Sequence, residues 1–157
     1  MKAANRLGTA WLALCAAFAL HVADEALTGF LAVYNPTVLV LRSRYSWFPM
    51  PVFEFRDWLT EMILLVVIVF ALSPLFFRNA RWVRPVGYFF AVVNVLNALG
   101  HTVGTIFGRT VASVSFSRPA PGFWSSPFLF AASVWLLVDL RRSGARCSPS
   151  VAESARR

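Results

Sequence analysis

Apolar residues run along this chain in four blocks, each close to the roughly 20 residues a helix needs to cross a bilayer. The first covers about 7–30 and opens with "LGTAWLALCAAFAL". The second is "WLTEMILLVVIVFALSPLFF", 58–77, and the third "VGYFFAVVNVLNALGHTVGTIF", 86–107. The fourth is "FWSSPFLFAASVWLLVDL", 123–140. The first helix is expected to end before Pro36, and Pro74 and Pro127 fall near span ends, where a lost backbone hydrogen bond matters least. Between the blocks, "RNARWVRP" at 78–85 is short enough to make an antiparallel hairpin of spans two and three. Residues 31–57, with Pro36, Pro49, Pro51 and the aromatic "YSWFPMPVF", read as an interfacial connection. The pattern predicts an all-α fold: one domain, 1–140, forming an integral membrane four-helix bundle, with an Arg/Ser-rich tail, 141–157, disordered and cytoplasmic.

Polar residues interrupt these blocks in a set pattern. His21, Asp24 and Glu25 stand at i, i+3 and i+4, on one side of a helix. Asn94, Asn97 and His101 stand at i, i+3 and i+7, again on one face. Glu54, Asp57 and Glu61 repeat that spacing where the second span begins. At 1.5 Å per residue His21 lies about 20 Å along its span. His101 reaches a similar depth, and Glu61 is near the same end of its own span. An ionisable side chain at mid-bilayer costs at least about 2.5–3.5 kcal/mol on insertion scales, so these groups must face one another or a wet cavity. A polar chamber in the outer half of the bundle is expected. Gly100, Gly104 and Gly108 form a small-xxx-small row beside it, expected to let a neighbouring helix approach closely.

Composition agrees with the pattern. The chain is 58% hydrophobic and 14% charged, with a mean hydropathy of +0.63, against roughly 25% charged residues in soluble domains. Its net charge of +8 does not indicate nucleic acid, because the Lys and Arg residues sit at the ends of the apolar blocks. With both termini cytoplasmic, ten of these residues fall inside and five outside, which sets the expected orientation. "MKAANR" begins like a signal peptide, but no small-x-small site precedes a polar start, so the first block is read as a retained span. Cys15 lies in that span and Cys147 in the tail, so no disulfide framework is implied. Trp11, Trp58 and Trp124 are expected as interfacial anchors.

The converging residues support four functions. First, His21, Glu25 and His101 offer three metal ligands, with Asp24 or Glu61 as a fourth and Asn97 and Asn94 orienting them from behind. Two histidines and a carboxylate suit one divalent Zn or Fe, which would make the chain a metal-dependent enzyme acting on a lipid or other hydrophobic substrate. Second, Glu25, Asp24 and Glu61 are the carboxylates for metal-free acid–base chemistry, such as isomerising or cyclising an isoprenoid-like lipid. Third, the same groups suit a proton or ion path. Fourth, they form a buried network that pairs the helices and binds nothing. No G-x-S-x-G, phosphate-binding glycine loop or CxxC pair is present.

"HVADE" in the first span, "NALGH" in the third and a Pro-Gly ahead of the last resemble the HXXEE-domain family of small bacterial membrane proteins. His21 and Glu25 match the first and last motif positions, and Asp24 stands where that family has Glu. Asn97 and His101 match its Asn-x-x-x-His, and Pro121 and Gly122 its Pro-Gly. The resemblance covers roughly 10–140 and implies the multi-pass fold, the site and a bacterial inner-membrane location; it carries no reaction.

Overall fold

A computed structural model describes residues 3–145. Six helices follow one another: α1 (Ala3–Thr28), α2 (Leu31–Arg44), α3 (Phe55–Ala71), α4 (Ser73–Phe77), α5 (Val83–Phe107) and α6 (Ser126–Ala145). The tail expected to be disordered from 141 starts later, because α6 continues through Ala145; 146–157 lie outside the described residues.

The core is built around α1. Leu7, Trp11, Leu14, Phe18, His21, Val22 and Glu25 recur at three- and four-residue intervals and are all buried. α6 packs against both α1 and α5, through Leu129, Leu136 and Leu140. α4 and α3 lie chiefly on α1. The trio α1–α5–α6 therefore encloses the interior, and α3 leans on its flank. Of the four helices expected to form a bundle, α3 contributes least to this interior.

Among the described residues, three stretches are long and apolar enough to cross a membrane: 6–28, 55–77 and 83–107. Only 17% of the most apolar stretch of 55–77 is buried, against 56% for 6–28. Exposed Ile63, Leu64, Val67 on α3 and Phe89, Leu96, Ile106 on α5 give the molecule an outer apolar belt. Exposed apolar surface of this kind marks contact with a membrane or a partner. The predicted fourth span becomes α6, which carries Asp139, Arg141 and Arg142 in its second half and is too polar to join that group.

Several local departures have identifiable causes. α1 ends at Thr28, before Pro36 as expected, because Gly29, at φ +78°, turns the chain; a separate helix, α2, then runs through Pro36. The proline sits within the first two turns, and Thr37 Oγ1 bonds the Val33 carbonyl beside it. The Tyr34 hydroxyl donates to the Pro51 carbonyl, and the Asn35 side chain bonds Phe53 N–H and C=O, so the "YSWFPMPVF" strap is laced to α2. Trp11 is no interfacial anchor: it is fully buried, stacked on Phe76 at a centroid distance of 3.8 Å. Its Nε1–H donates to the Val69 carbonyl at 3.0 Å, among the orphan carbonyls that close α3. Trp58 is buried beside Phe30, whereas Trp124 is exposed. Asp139 is buried and takes Arg6 at 3.4 Å and the Trp135 indole N–H at 3.0 Å, fastening the start of α1 to the end of α6.

Candidate functional site

His21 and Glu25 share the inner face of α1 because they are one turn apart. His101 comes from the inner face of α5, in the row Asn94, Ala98, His101. All three are buried, and their ligand atoms lie within 4.8 Å of one another. His101 Nε2 lies 3.1 Å from Glu25 Oε1, and His21 Nε2 lies 3.5 Å from the same oxygen. The two rings meet edge to face at a centroid distance of 4.8 Å.

Hydrogen bonds behind His21 fix its proton. Asp24 Oδ2 accepts from both the backbone N–H and the hydroxyl of Ser125, each at 2.8 Å. The same hydroxyl also lies 3.1 Å from the Gly122 carbonyl, and with its one proton on either of these acceptors Ser125 Oγ accepts from His21 Nδ1, at 2.8 Å. His21 thus carries its proton on Nδ1 and turns the Nε2 lone pair toward Glu25. Asn97 Nδ2–H points at the same nitrogen from 3.0 Å. A carboxylate–hydroxyl–imidazole chain of this kind orients a ligating histidine and raises its basicity. Asp24 also sits at the start of α6, where a negative charge suits the helix dipole.

The wall opposite is backbone. Gly122 has φ +76°, and a Cβ there would lie 2.9 Å from His21 Cε1, 3.0 Å from Glu25 Cγ and 3.0 Å from His101 Cε1. Only glycine fits both the left-handed conformation and the space. Its N–H bonds Thr28 Oγ1 at 3.1 Å, and its carbonyl takes the Ser126 hydroxyl at 2.7 Å. The Ala120 N–H bonds Thr105 Oγ1, one turn beyond His101. The segment 118–122 is thereby held over the three side chains.

The sequence-predicted residues divide into three groups. His21, Glu25 and His101 come together, and Asn97 joins them. Asp24 stands behind His21 and acts on it through Ser125, not beside Glu25 in the chamber. Asn94 and Glu61 do not reach the site. Asn94 is buried but gives its amide to the Phe90 carbonyl one turn back. Glu61 is exposed, with Glu54 and Asp57, because α3 turns the row Trp58, Met62, Val69 to α1 and Glu61 lies roughly 100° off that row. Ser125 and Gly122 were not expected as parts of the site. Their signal was the Pro-Gly-x-x-Ser run itself, which reads as a helix start and gives no hint of what faces it.

Gly100 and Gly104 do not seat a helix. A Cβ at Gly100 would meet nothing within 4 Å, and one at Gly104 would meet Phe116 and Ala120 of the following loop. Their absent side chains instead open a pocket of about 270 Å³ between α2 and α5, with Phe30, Leu96, Phe116 and Pro121 among its walls. Asn97 and His101 line this pocket as well as the polar cluster. Burial pushes the Tyr34 phenol on its rim above the ordinary tyrosine range, against an opposing pull from Arg42.

Comparison of the chain with family models, with curated proteins and with solved structures gives no match.

Proposed function

We propose that this chain is a multi-pass membrane protein whose His21, Glu25 and His101 hold one divalent metal ion, Zn or Fe, for chemistry inside the bilayer. One observation carries the reading. The hydrogen bonds from Asp24 through Ser125 leave an electron pair on His21 Nε2, aimed at a carboxylate oxygen 3.5 Å away with no proton of their own between them. A buried gap between two electron-rich atoms calls for a cation. Ligands on a tetrahedral ion with bonds of about 2.0–2.1 Å stand roughly 3.3 Å apart, and both edges to Glu25 Oε1, 3.1 and 3.5 Å, are close to that. A bound ion with three protein ligands supplies Lewis acidity and an activated water or oxygen. The chain's own parts are then Asp24 and Ser125, which orient His21; Gly122, which covers the cluster; and Asn97, whose amide yields the Nε2 direction to the ion.

The Asn97 contact favours a second reading. With Asn97 donating to Nε2, the network closes without an ion, and a proton shared between His101 Nε2 and Glu25, 3.1 Å apart, serves acid–base chemistry or only helix pairing. Elemental analysis of detergent-purified protein separates the two. About one Zn or Fe per chain, lost in a folded His21→Ala/His101→Ala variant, supports the metal site. No metal after incubation with either ion refutes it. We also propose the HXXEE-domain family for the chain, and cytoplasmic termini from its ten-to-five distribution of Lys and Arg.

A further inference from the structure

A groove runs along α5 from the polar cluster to the end of the helix. The pocket at Asn97 and His101 adjoins a second hollow of about 410 Å³, and the two share Gly100, Gly104, Thr110 and Val111. The second hollow continues past Val103 and Phe107 to Arg109. Its rim is apolar and open, with Leu96, Val103, Phe107 and Val111 all exposed. In a bilayer these residues border lipid. The groove floor has no side chains at positions 100 and 104, so a slender molecule can lie on the α5 backbone. Its polar hydroxyls are already engaged, Thr37 with both Thr110 and the Val33 carbonyl.

The two ends differ in character. Arg109 lies just past the end of α5, where a span meets the head-group layer. Arg118 lies against the preceding Gly108, its Nε 2.7 Å from where a Cβ there would be. From there to His101 is eight residues, about 12 Å deeper at 1.5 Å per residue. A membrane amphiphile has the same polarity, with its charged head at the surface and its chain below.

We propose that this groove binds an anionic acyl lipid, with its acid group on Arg109 and Arg118 and its chain laid over Gly104 and Gly100 so that a mid-chain carbon, not the head group, reaches His101. The combined hollow falls within the roughly 300–1,000 Å³ of ligand pockets, enough for one chain and not for a whole two-chain lipid. Entry is sideways from the membrane. That the chain carbon is the reacting position rests on the metal reading; that the chain binds there does not.

The test uses a palmitic acid analogue with a mid-chain photoreactive group, added to the full-length protein in phosphatidylcholine nanodiscs. Mass spectrometry locates the cross-links, and metal is counted in the same samples. Labelling should concentrate on 96–111 and 30–37. Gly100→Leu should lower it about tenfold, equivalent to ~1.4 kcal/mol, with metal content unchanged. Gly100→Ala, which adds a methyl in open space, should leave labelling nearly intact and shows that the helix tolerates substitution. An Arg109→Gln/Arg118→Gln variant should weaken the acid probe and not the corresponding fatty alcohol. Labelling spread evenly over the apolar faces of α3, α5 and α6, unchanged by Gly100→Leu, would overturn the proposal. A metal-free protein that still labels in the groove would uphold lipid binding and remove the metal reading alone.

Discussion

Substituting Gly122 by alanine probes the closure of the site with a single methyl group. The added carbon meets atoms of His21, Glu25 and His101 at 2.9–3.0 Å, and the backbone at φ +76° disfavours any side chain. The left-handed conformation costs about 1–2 kcal/mol for an L residue. Overpacking a tight interior costs about 1–3 kcal/mol more. If the three side chains hold their places, the whole penalty appears as lost stability. If they yield by a few tenths of an ångström, it appears as weakened metal binding. Gly100→Ala is the matched control. Its methyl enters open space within a helix, where alanine is favoured over glycine by about 0.5–1 kcal/mol. Thermal unfolding in detergent and metal content, measured on both variants, should move in opposite directions or, for metal, diverge. A Gly122→Ala protein with the parent's unfolding midpoint and full metal content would refute the claim that backbone at 122 walls the cluster.

Further outcomes follow from other contacts. Ser125→Ala breaks the link from Asp24 to His21 and should reduce metal affinity about 10–100-fold in a protein that still folds, as read by chelator competition. Trp11→Phe keeps the stacked ring and loses the bond to the Val69 carbonyl, and should cost about 1 kcal/mol, whereas Trp11→Ala should cost about 3–5; denaturant or thermal unfolding distinguishes them. The Tyr34 phenol is raised, so its tether to Pro51 is complete below tyrosine's usual value of about 10 and is lost as pH climbs through the higher folded value. Proteolysis of the 45–54 strap should therefore quicken at alkaline pH, and Tyr34→Phe should abolish that dependence. An impermeant maleimide applied to intact cells should leave Cys147 unlabelled, and labelling there would reverse the proposed orientation.

What could be read from the sequence was what repeats or pairs locally. The apolar blocks gave three of the long helices nearly whole, since length and hydropathy are summed over many residues. His21 and Glu25 are one turn apart, and His101 falls at a matching depth in its own helix, so their meeting needed only two helices side by side. Glu61 failed because depth says nothing about rotation: the apolar residues of α3 are nearly uniform around its axis, and packing on α1 decided which side faced out. The glycine row failed for a related reason. Small residues permit a close neighbour, and equally permit a void, and only the path of 109–120 decides between them. Asp139 stands close to Arg141 and Arg142 in sequence, yet it reaches Arg6, more than a hundred residues away, and Trp135. Ser125 and Gly122 act through contacts about a hundred residues distant, which no local pattern encodes.

The separation of the site's parts along the chain also bears on how the protein is made. His21 and Ser125 are 104 residues apart, and the last helix supplies the hydroxyl that orients the first helix's histidine. At about 5–20 residues per second, synthesis leaves α1 without these partners for several seconds or longer. During that interval His21, Asp24 and Glu25 stand on α1 without the side chains that later face them. If α1 spans a membrane, as proposed, its polar face must stay against water or the insertion machinery until α5 and α6 arrive. The cluster is then completed only when α6 is in place, and a chain that stops short of α6 leaves His21 and Asp24 without Ser125.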